Sequence, residues 1–208
     1  MSKVLYITAN PKKVEDSYGL TVGEEFINEY KKNNPEDTVT AIDLFKLDIS
    51  NVDKEIAELV DRVIKPDELD EEHKQIMQKM GNTVDEFIKH DKYVFVTPLW
   101  NLGVPPIVKT YFDNVCAVGK TFKYTETGAV GLLEGKKALH IQASGGIYSS
   151  GPMAPFEHGA SYIKSILNFF GIHDVKQLFI EGVSIQQLDH DKIKQDAIDT
   201  AKVLAKTF

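Results

Sequence analysis

Short apolar runs alternate along the chain with longer stretches in which apolar residues recur every three or four positions. Five of the runs read as strands: Lys3–Thr8, Thr38–Asp43, Tyr93–Thr97, Lys137–Ala143 and Val175–Glu181. The helical spacing predicts helices over Tyr18–Lys32, Val52–Ile64, Asp70–His90, Ile107–Val118, Phe156–Phe170 and Asp189–Ala205. Ser17 suits the N-cap of the first helix, because its hydroxyl can accept from a first-turn N–H. Gly81 weakens the case for one unbroken helix over Asp70–His90, and Gly171 suits the residue just past a helix end. From Val115 to Lys136 the helical pattern lapses, and residues around 119–136 read as a β-hairpin or flap. Within it Phe122 and Tyr124 share one side if the chain is extended. They either pack the flap onto its own domain or cover a ligand or a second subunit, and spacing does not choose.

Strands alternating with helices imply an α/β fold, a five-stranded parallel sheet with helices on both faces. No Ser/Gly/Pro-rich linker interrupts the pattern, so residues 1–208 read as one domain. The common order 2-1-3-4-5 puts the switch point between strands one and three, at the carboxyl ends where ligands bind. The loops after strands one, three and four then converge. The first contains Asn10 and ends at Ser17, which either caps the helix and nothing more or caps it beside a phosphate held on the first-turn N–H groups. The second, Pro98-Leu99-Trp100-Asn101-Leu102-Gly103, offers an apolar wall, a flat aromatic and an amide. The third follows Ala143 as Ser144-Gly145-Gly146, where two glycines let main-chain donors approach a ligand closely. Such a crevice suits a phosphate-bearing planar cofactor. There is no GxGxxG and no GK[ST] after the first strand, so a dinucleotide fingerprint and a P-loop are both unsupported.

Composition narrows the function classes. The net charge of −7, from 24 basic and 31 acidic residues, argues against non-specific nucleic-acid binding. One cysteine excludes an internal disulfide framework, and Cys116 reads as a packing residue rather than a nucleophile. His158, His173 and His190 lack metal-ligand spacing, His140 lies within a strand and reads as structural, and no metal is expected. No apolar stretch approaches membrane-spanning length, so the cytoplasm is the expected location and no membrane contact is expected.

The segments SKVLYI, PLWNLGVPPIVKTYFDNV, TFKYTETG, GGIYSSGP and FFGIHDVK occur in this order. Together they resemble the FMN-dependent NADH-azoreductases, the AcpD-like branch of the flavodoxin-like quinone reductases, over essentially the whole chain. The resemblance implies a flavodoxin-like fold and FMN as cofactor. It implies an electron donor, NADH or NADPH, that reduces quinones and aromatic azo compounds by ping-pong two-electron transfer. It counts Asn10, the polar position after strand one, among the cofactor-binding residues and places Ser17, Tyr18 and Gly19 at the helix start that binds the FMN phosphate, with Tyr18 and Gly19 where the family often has hydroxyls. It places Pro98, Leu99, Trp100, Asn101 and Leu102 along the isoalloxazine, and Ala143, Ser144, Gly145 and Gly146 at its pyrimidine edge. Some relatives carry Arg where Ser144 stands. A homodimer with FMN near the interface is implied too, which makes Phe122, Tyr124 and Tyr148 candidates to meet substrate or the partner subunit. No side chain need act as a catalytic nucleophile, because the cofactor carries the chemistry.

Two other readings share the fold. A phosphoacceptor receiver domain needs acidic residues after strand one and an Asp ending strand three. This chain has Thr8-Ala9-Asn10 and Thr97-Pro98-Leu99 there. A flavodoxin-type electron carrier, docking onto redox partner proteins, would tend to be shorter and to lack the flap.

Overall fold

A computed structural model of the chain describes residues 1–60 and 65–208. The strands of the main sheet are β1 (Lys3–Thr8), β2 (Thr38–Asp43), β3 (Lys92–Pro98), β6 (Lys137–Ala143) and β7 (Asp174–Ile180), with the hairpin strands β4 (Phe122–Thr125) and β5 (Gly128–Gly131) between β3 and β6. The helices are α1 (Tyr18–Asn33), α2 (Lys54–Val60), α3 (Glu71–Ile88), α4 (Pro106–Val115), α5 (Gly159–Phe169) and α6 (His190–Thr207). The main sheet runs β2-β1-β3-β6-β7 and every pairing in it is parallel. This is the flavodoxin-like order expected from the sequence.

Side-chain alternation splits each central strand between two cores. Val4, Tyr6, Val94, Val96, Leu139 and Ile141 face α1 and α6, packing with Phe26, Tyr30, Ala201 and Phe208. Leu5, Ile7, Tyr93 and Phe95 face the opposite way, against Phe87, Phe112, Ile163, Leu167 and Phe170 of α3, α4 and α5. Each fully buried aliphatic or aromatic side chain contributes about 1.5–3 kcal/mol, so covering both faces is what makes the parallel sheet stable.

The register aligns the carboxyl ends. Thr8 pairs with Asp43 and Val96, Pro98 with Ala143, and Ala143 with Ile180. The following loops therefore leave the sheet along one edge.

Local chemistry shifts several boundaries. α4 stops at Val115 rather than Val118, because Cys116 leaves helical geometry and the Thr121 hydroxyl accepts from Ala117 N–H at 3.0 Å. α5 begins at Gly159 rather than Phe156: residues Gly151–Phe156, with Pro152 and Pro155, form a 3-10 stretch instead. α2 starts at Lys54, where Asp53 accepts from Ile56 N–H, and the rest of the stretch expected to reach Ile64 lies outside the described residues. α3 runs unbroken through Gly81, where an added Cβ would meet open space.

β4 and β5 pair antiparallel as a hairpin. Main chain contributes to its docking: Leu133 N–H donates to Phe170 C=O at 2.8 Å, and a Cβ on Gly131 would fall 2.1 Å from Gly171 N.

Candidate functional site

Three loops meet at the carboxyl edge. After β3 the chain makes a tight turn in which Trp100 and Gly103 exchange N–H···O=C bonds of 2.8 and 3.0 Å. Asn101 and Leu102 sit between them with φ of +47° and +71°. Both residues occupy the left-handed region, where a side chain other than that of Gly costs about 1–2 kcal/mol. Tertiary bonds hold this geometry: His158 N–H donates to Leu102 C=O at 2.9 Å, and Leu99 N–H donates to Ala143 C=O at 2.8 Å. The N–H groups of Asn101 and Leu102 donate to nothing among the described residues.

The loop after β6 has the same property for a different reason. The carbonyls of Ser144, Gly145 and Gly146 accept from the N–H groups of Val183, Ser184 and Gly182 respectively, at 3.1–3.3 Å. The Ser144 hydroxyl donates to Gly146 C=O at 2.8 Å, so this buried side chain braces the loop from within. With the acceptors engaged behind the loop, the N–H groups of Gly145, Gly146 and Ile147 are left without a partner among the described residues.

Between the two loops lies a cavity of about 460 Å³ lined by Leu99, Asn101, Leu102, Gly145, Gly146 and Tyr148. That size suits a ring-containing ligand. The structure thus brings together six of the residues singled out in the sequence. Pro98 and Ala143 end the paired strands beneath it. Trp100 projects outward, 40% exposed, with its ring 6.3 Å from that of Phe45.

The loop after β1 approaches from the side. Asn10 Nδ2 donates to Ser17 Oγ at 3.0 Å, and Ser17 Oγ accepts from Leu20 N–H at 3.3 Å, so Ser17 is buried as a helix cap. The N–H groups of Tyr18 and Gly19 at the start of α1 have no partner among the described residues. A Cβ on Gly19 would lie 3.6 Å from Ala143 Cβ, which puts this helix start beside the end of β6.

Phe122 and Tyr124 lie elsewhere. Phe122 is buried with its ring 4.6 Å from Phe169, at the far end of α5, while Gly159 at the near end adjoins Leu99. An α5 of this length separates the two by about 15 Å. Tyr124 edges onto Phe122 and is 71% exposed.

Four contributors escaped the sequence reading. Gln142 and Glu157 support the site: Gln142 Nε2 donates to Glu157 Oε1 at 2.9 Å, and Glu157 accepts from the N–H groups of Gly159, Ala160 and Ser161. Burial pushes the Glu157 carboxyl up, but these donors outweigh it and hold it below its usual range. Phe45 and Glu181 are the others; Glu181 accepts from Tyr148 N–H, Ser149 N–H and the Ser149 hydroxyl at 2.5–2.8 Å. A Glu two residues before the helical run could have signalled the acceptor for the first turn of α5; no sequence signal marks the others. Beneath the site His140 Nε2 meets Thr97 Oγ1 at 2.9 Å, and burial lowers its pKa to about 3, so the imidazole is neutral.

A larger cavity of about 720 Å³ lies between α2, α3 and the end of α4, lined by Val52, Leu59, Met77, Met80 and Val118 among others. It lies at the other end of α4 from the strand-edge loops, so the smaller cavity is the functional candidate.

The model of a family described by its flavodoxin-like fold matches residues 2–204. This chain belongs to that flavodoxin-like family. Its relatives in the family include an FMN-dependent NADH:quinone oxidoreductase of Bacillus thuringiensis subsp. konkukian, 44% identical over 211 aligned positions and covering all of both chains. Another, from Bacillus subtilis, is 46% identical with the same coverage. Among solved structures, an FMN-dependent NADH-azoreductase from Bacillus anthracis in complex with FMN superposes with a TM-score of 0.92 at 33% identity, covering 100% of this chain and 99% of that one.

The donor set of this flavodoxin-like chain fits FMN. A flavin ring presents carbonyl oxygens and ring nitrogens as acceptors, and the two loops present free N–H groups. A phosphate dianion suits the helix start at Tyr18 and Gly19, whose N–H groups and dipole favour negative charge.

Proposed function

We propose that this flavodoxin-like protein is an FMN-dependent NADH oxidoreductase that reduces quinones and aromatic azo compounds. The observation that carries the proposal is the cavity between two loops in which the N–H groups of Asn101, Leu102, Gly145, Gly146 and Ile147 have no partner among the described residues. FMN held there would supply two-electron hydride chemistry between reduced nicotinamide and the acceptor.

The residues divide the remaining work. Ser17 fixes the start of α1 so that Tyr18 and Gly19 N–H groups meet the phosphate. Asn101, Leu102, Gly145 and Gly146 orient the ring by donating to its heteroatoms. Leu99 and Tyr148 exclude water from its surroundings. The full-length relatives named as NADH:quinone oxidoreductases support an enzyme over an electron carrier.

We assign the working form as a homodimer with the cofactor near the interface. Tyr124, far from its own site and exposed, is then available to the partner. Sedimentation analysis is expected to give a dimer, and a strictly monomeric active protein would refute the assignment.

The decisive experiment is the visible spectrum of the purified protein, with release and identification of its chromophore, followed by anaerobic mixing with NADH. Oxidised-flavin bands that bleach on mixing, with FMN released, are expected. A colourless protein that FMN does not reconstitute overturns the reading.

A further inference from the structure

We infer that Glu181 is a positioning residue that sets Tyr148 as a wall of the cavity, and through it the grip on the cofactor. The inference rests on the flavin reading of that cavity.

Glu181 follows directly after β7, a strand paired along its length with β6. Its half-buried carboxylate takes three hydrogen bonds from two adjacent residues: Oε1 from Tyr148 N–H at 2.7 Å and from Ser149 N–H at 2.8 Å, and Oε2 from the Ser149 hydroxyl at 2.5 Å. Bonds to a charged acceptor are roughly twice as strong as neutral ones. Two of the three fix main-chain groups, so they constrain where the Tyr148 Cα lies and the direction in which its side chain leaves the backbone. The ring then lies alongside Gly146, where an added Cβ would fall 3.1 Å from Tyr148 Cε2 and 3.5 Å from Cζ. Tyr148 and Asn101 both line the cavity, so a displaced Tyr148 alters its dimensions.

The segment that follows completes the bracket. Gly182, Val183 and Ser184 donate to the carbonyls of Gly146, Ser144 and Gly145. Gly182 holds φ +77°, and a Cβ there would fall 2.6 Å from Leu188 Cδ1, so the bend that aims Glu181 one way and these donors the other depends on glycine. The glycine part of the cavity wall is held by main chain. Beyond it, at Tyr148 and Ser149, the anchor is this one carboxylate.

The chemistry distinguishes two substitutions. Glu181→Gln keeps one oxygen to accept both N–H groups, while its amide nitrogen can donate to the Ser149 hydroxyl, which also accepts. Glu181→Ala leaves all three donors without the acceptor. The first readout is amide exchange at Tyr148 and Ser149 in flavin-free protein, which needs no cofactor and no activity. Exchange is expected to quicken by about tenfold or more in Glu181→Ala and to stay near wild type in Glu181→Gln, as for loss of a local opening barrier. The second readout is FMN dissociation by fluorescence quenching. A rise of about tenfold is expected for Glu181→Ala, with rescue in Glu181→Gln, and a much smaller rise when Glu181→Ala is introduced into Tyr148→Ala. Unchanged exchange overturns the inference. So does an undiminished effect on FMN binding in the Tyr148→Ala background, which would mean that Glu181 does not act through Tyr148. A wild-type protein that binds no FMN refutes the proposed function instead, and the exchange result then judges the clamp alone.

Discussion

At the scale of single residues, the site depends on backbone conformations that side chains ordinarily resist. Asn101 tolerates left-handed geometry better than most residues because its short amide can bond locally. Asn101→Ala removes that tolerance and the amide together. It is expected to weaken FMN binding by about tenfold, equivalent to about 1.4 kcal/mol, measurable by titration of flavin-free protein. Unchanged affinity would remove Asn101 from the site. His140 makes a different prediction. Burial depresses its folded pKa to about 3, so below the ordinary histidine value the unfolded chain binds a proton that the native state refuses. Stability therefore falls with acid from about pH 6.5 downward, by up to about 1.4 kcal/mol per pH unit. His140→Leu is expected to flatten that limb while lowering stability near pH 7 by about 1–3 kcal/mol, since the Thr97 hydroxyl loses its partner. Melting temperature against pH tests both signs.

At the scale of elements, two attachments are specific enough to break. The hairpin docks through glycine on both sides, and Gly131→Ala drives a Cβ into the main chain at Phe170–Gly171. A loss of about 1–3 kcal/mol is expected in denaturant melts, with faster amide exchange in β4 and β5. α2 is tied to α3 through His73, whose Nδ1 meets Asp70 Oδ1 at 2.7 Å and whose Nε2 meets Asp53 Oδ2 at 3.2 Å. The bond to Asp70, opposed by some desolvation and aided by both carboxylate charges, raises the His73 pKa. The tie is thus at full strength below the unfolded histidine value and is lost as pH rises through the raised folded one. Protection factors in α2, with the intrinsic pH dependence of exchange divided out, are expected to fall across that window in wild type and to stay level in His73→Gln.

At the scale of the whole molecule, periodicity was enough for the architecture. Runs such as Lys137–Ala143 are too apolar and too short to be anything but buried strands, and their alternation with helices dictates a parallel sheet. That in turn brings Ser17, Asn101 and Gly145 to one edge although they are far apart in sequence. Boundaries failed where a side chain overrode spacing, as Thr121 did at the end of α4 and the prolines did before α5. The supports of the site were not legible, since Glu181 meets Tyr148 across 33 positions and nothing in either neighbourhood announces the other. Positive φ at Leu102 was hidden for the same reason: the bond from His158 N–H that holds it comes from a distant loop.

In the loop at Ser144–Ile147 the carbonyls of Ser144, Gly145 and Gly146 are engaged by Gly182, Val183 and Ser184, while the N–H groups of Gly145, Gly146 and Ile147 have no partner among the described residues. Peptide groups are common to all residues, so the recognising surface is set by the path of the main chain, and side chains matter there as they hold that path: Ser144 through its hydroxyl, Gly145 and Gly146 by leaving room for Ser184 and Tyr148. Inserting or deleting one residue would shift the phase of every donor behind it. Lineages carrying this wall should therefore hardly vary at all in its length.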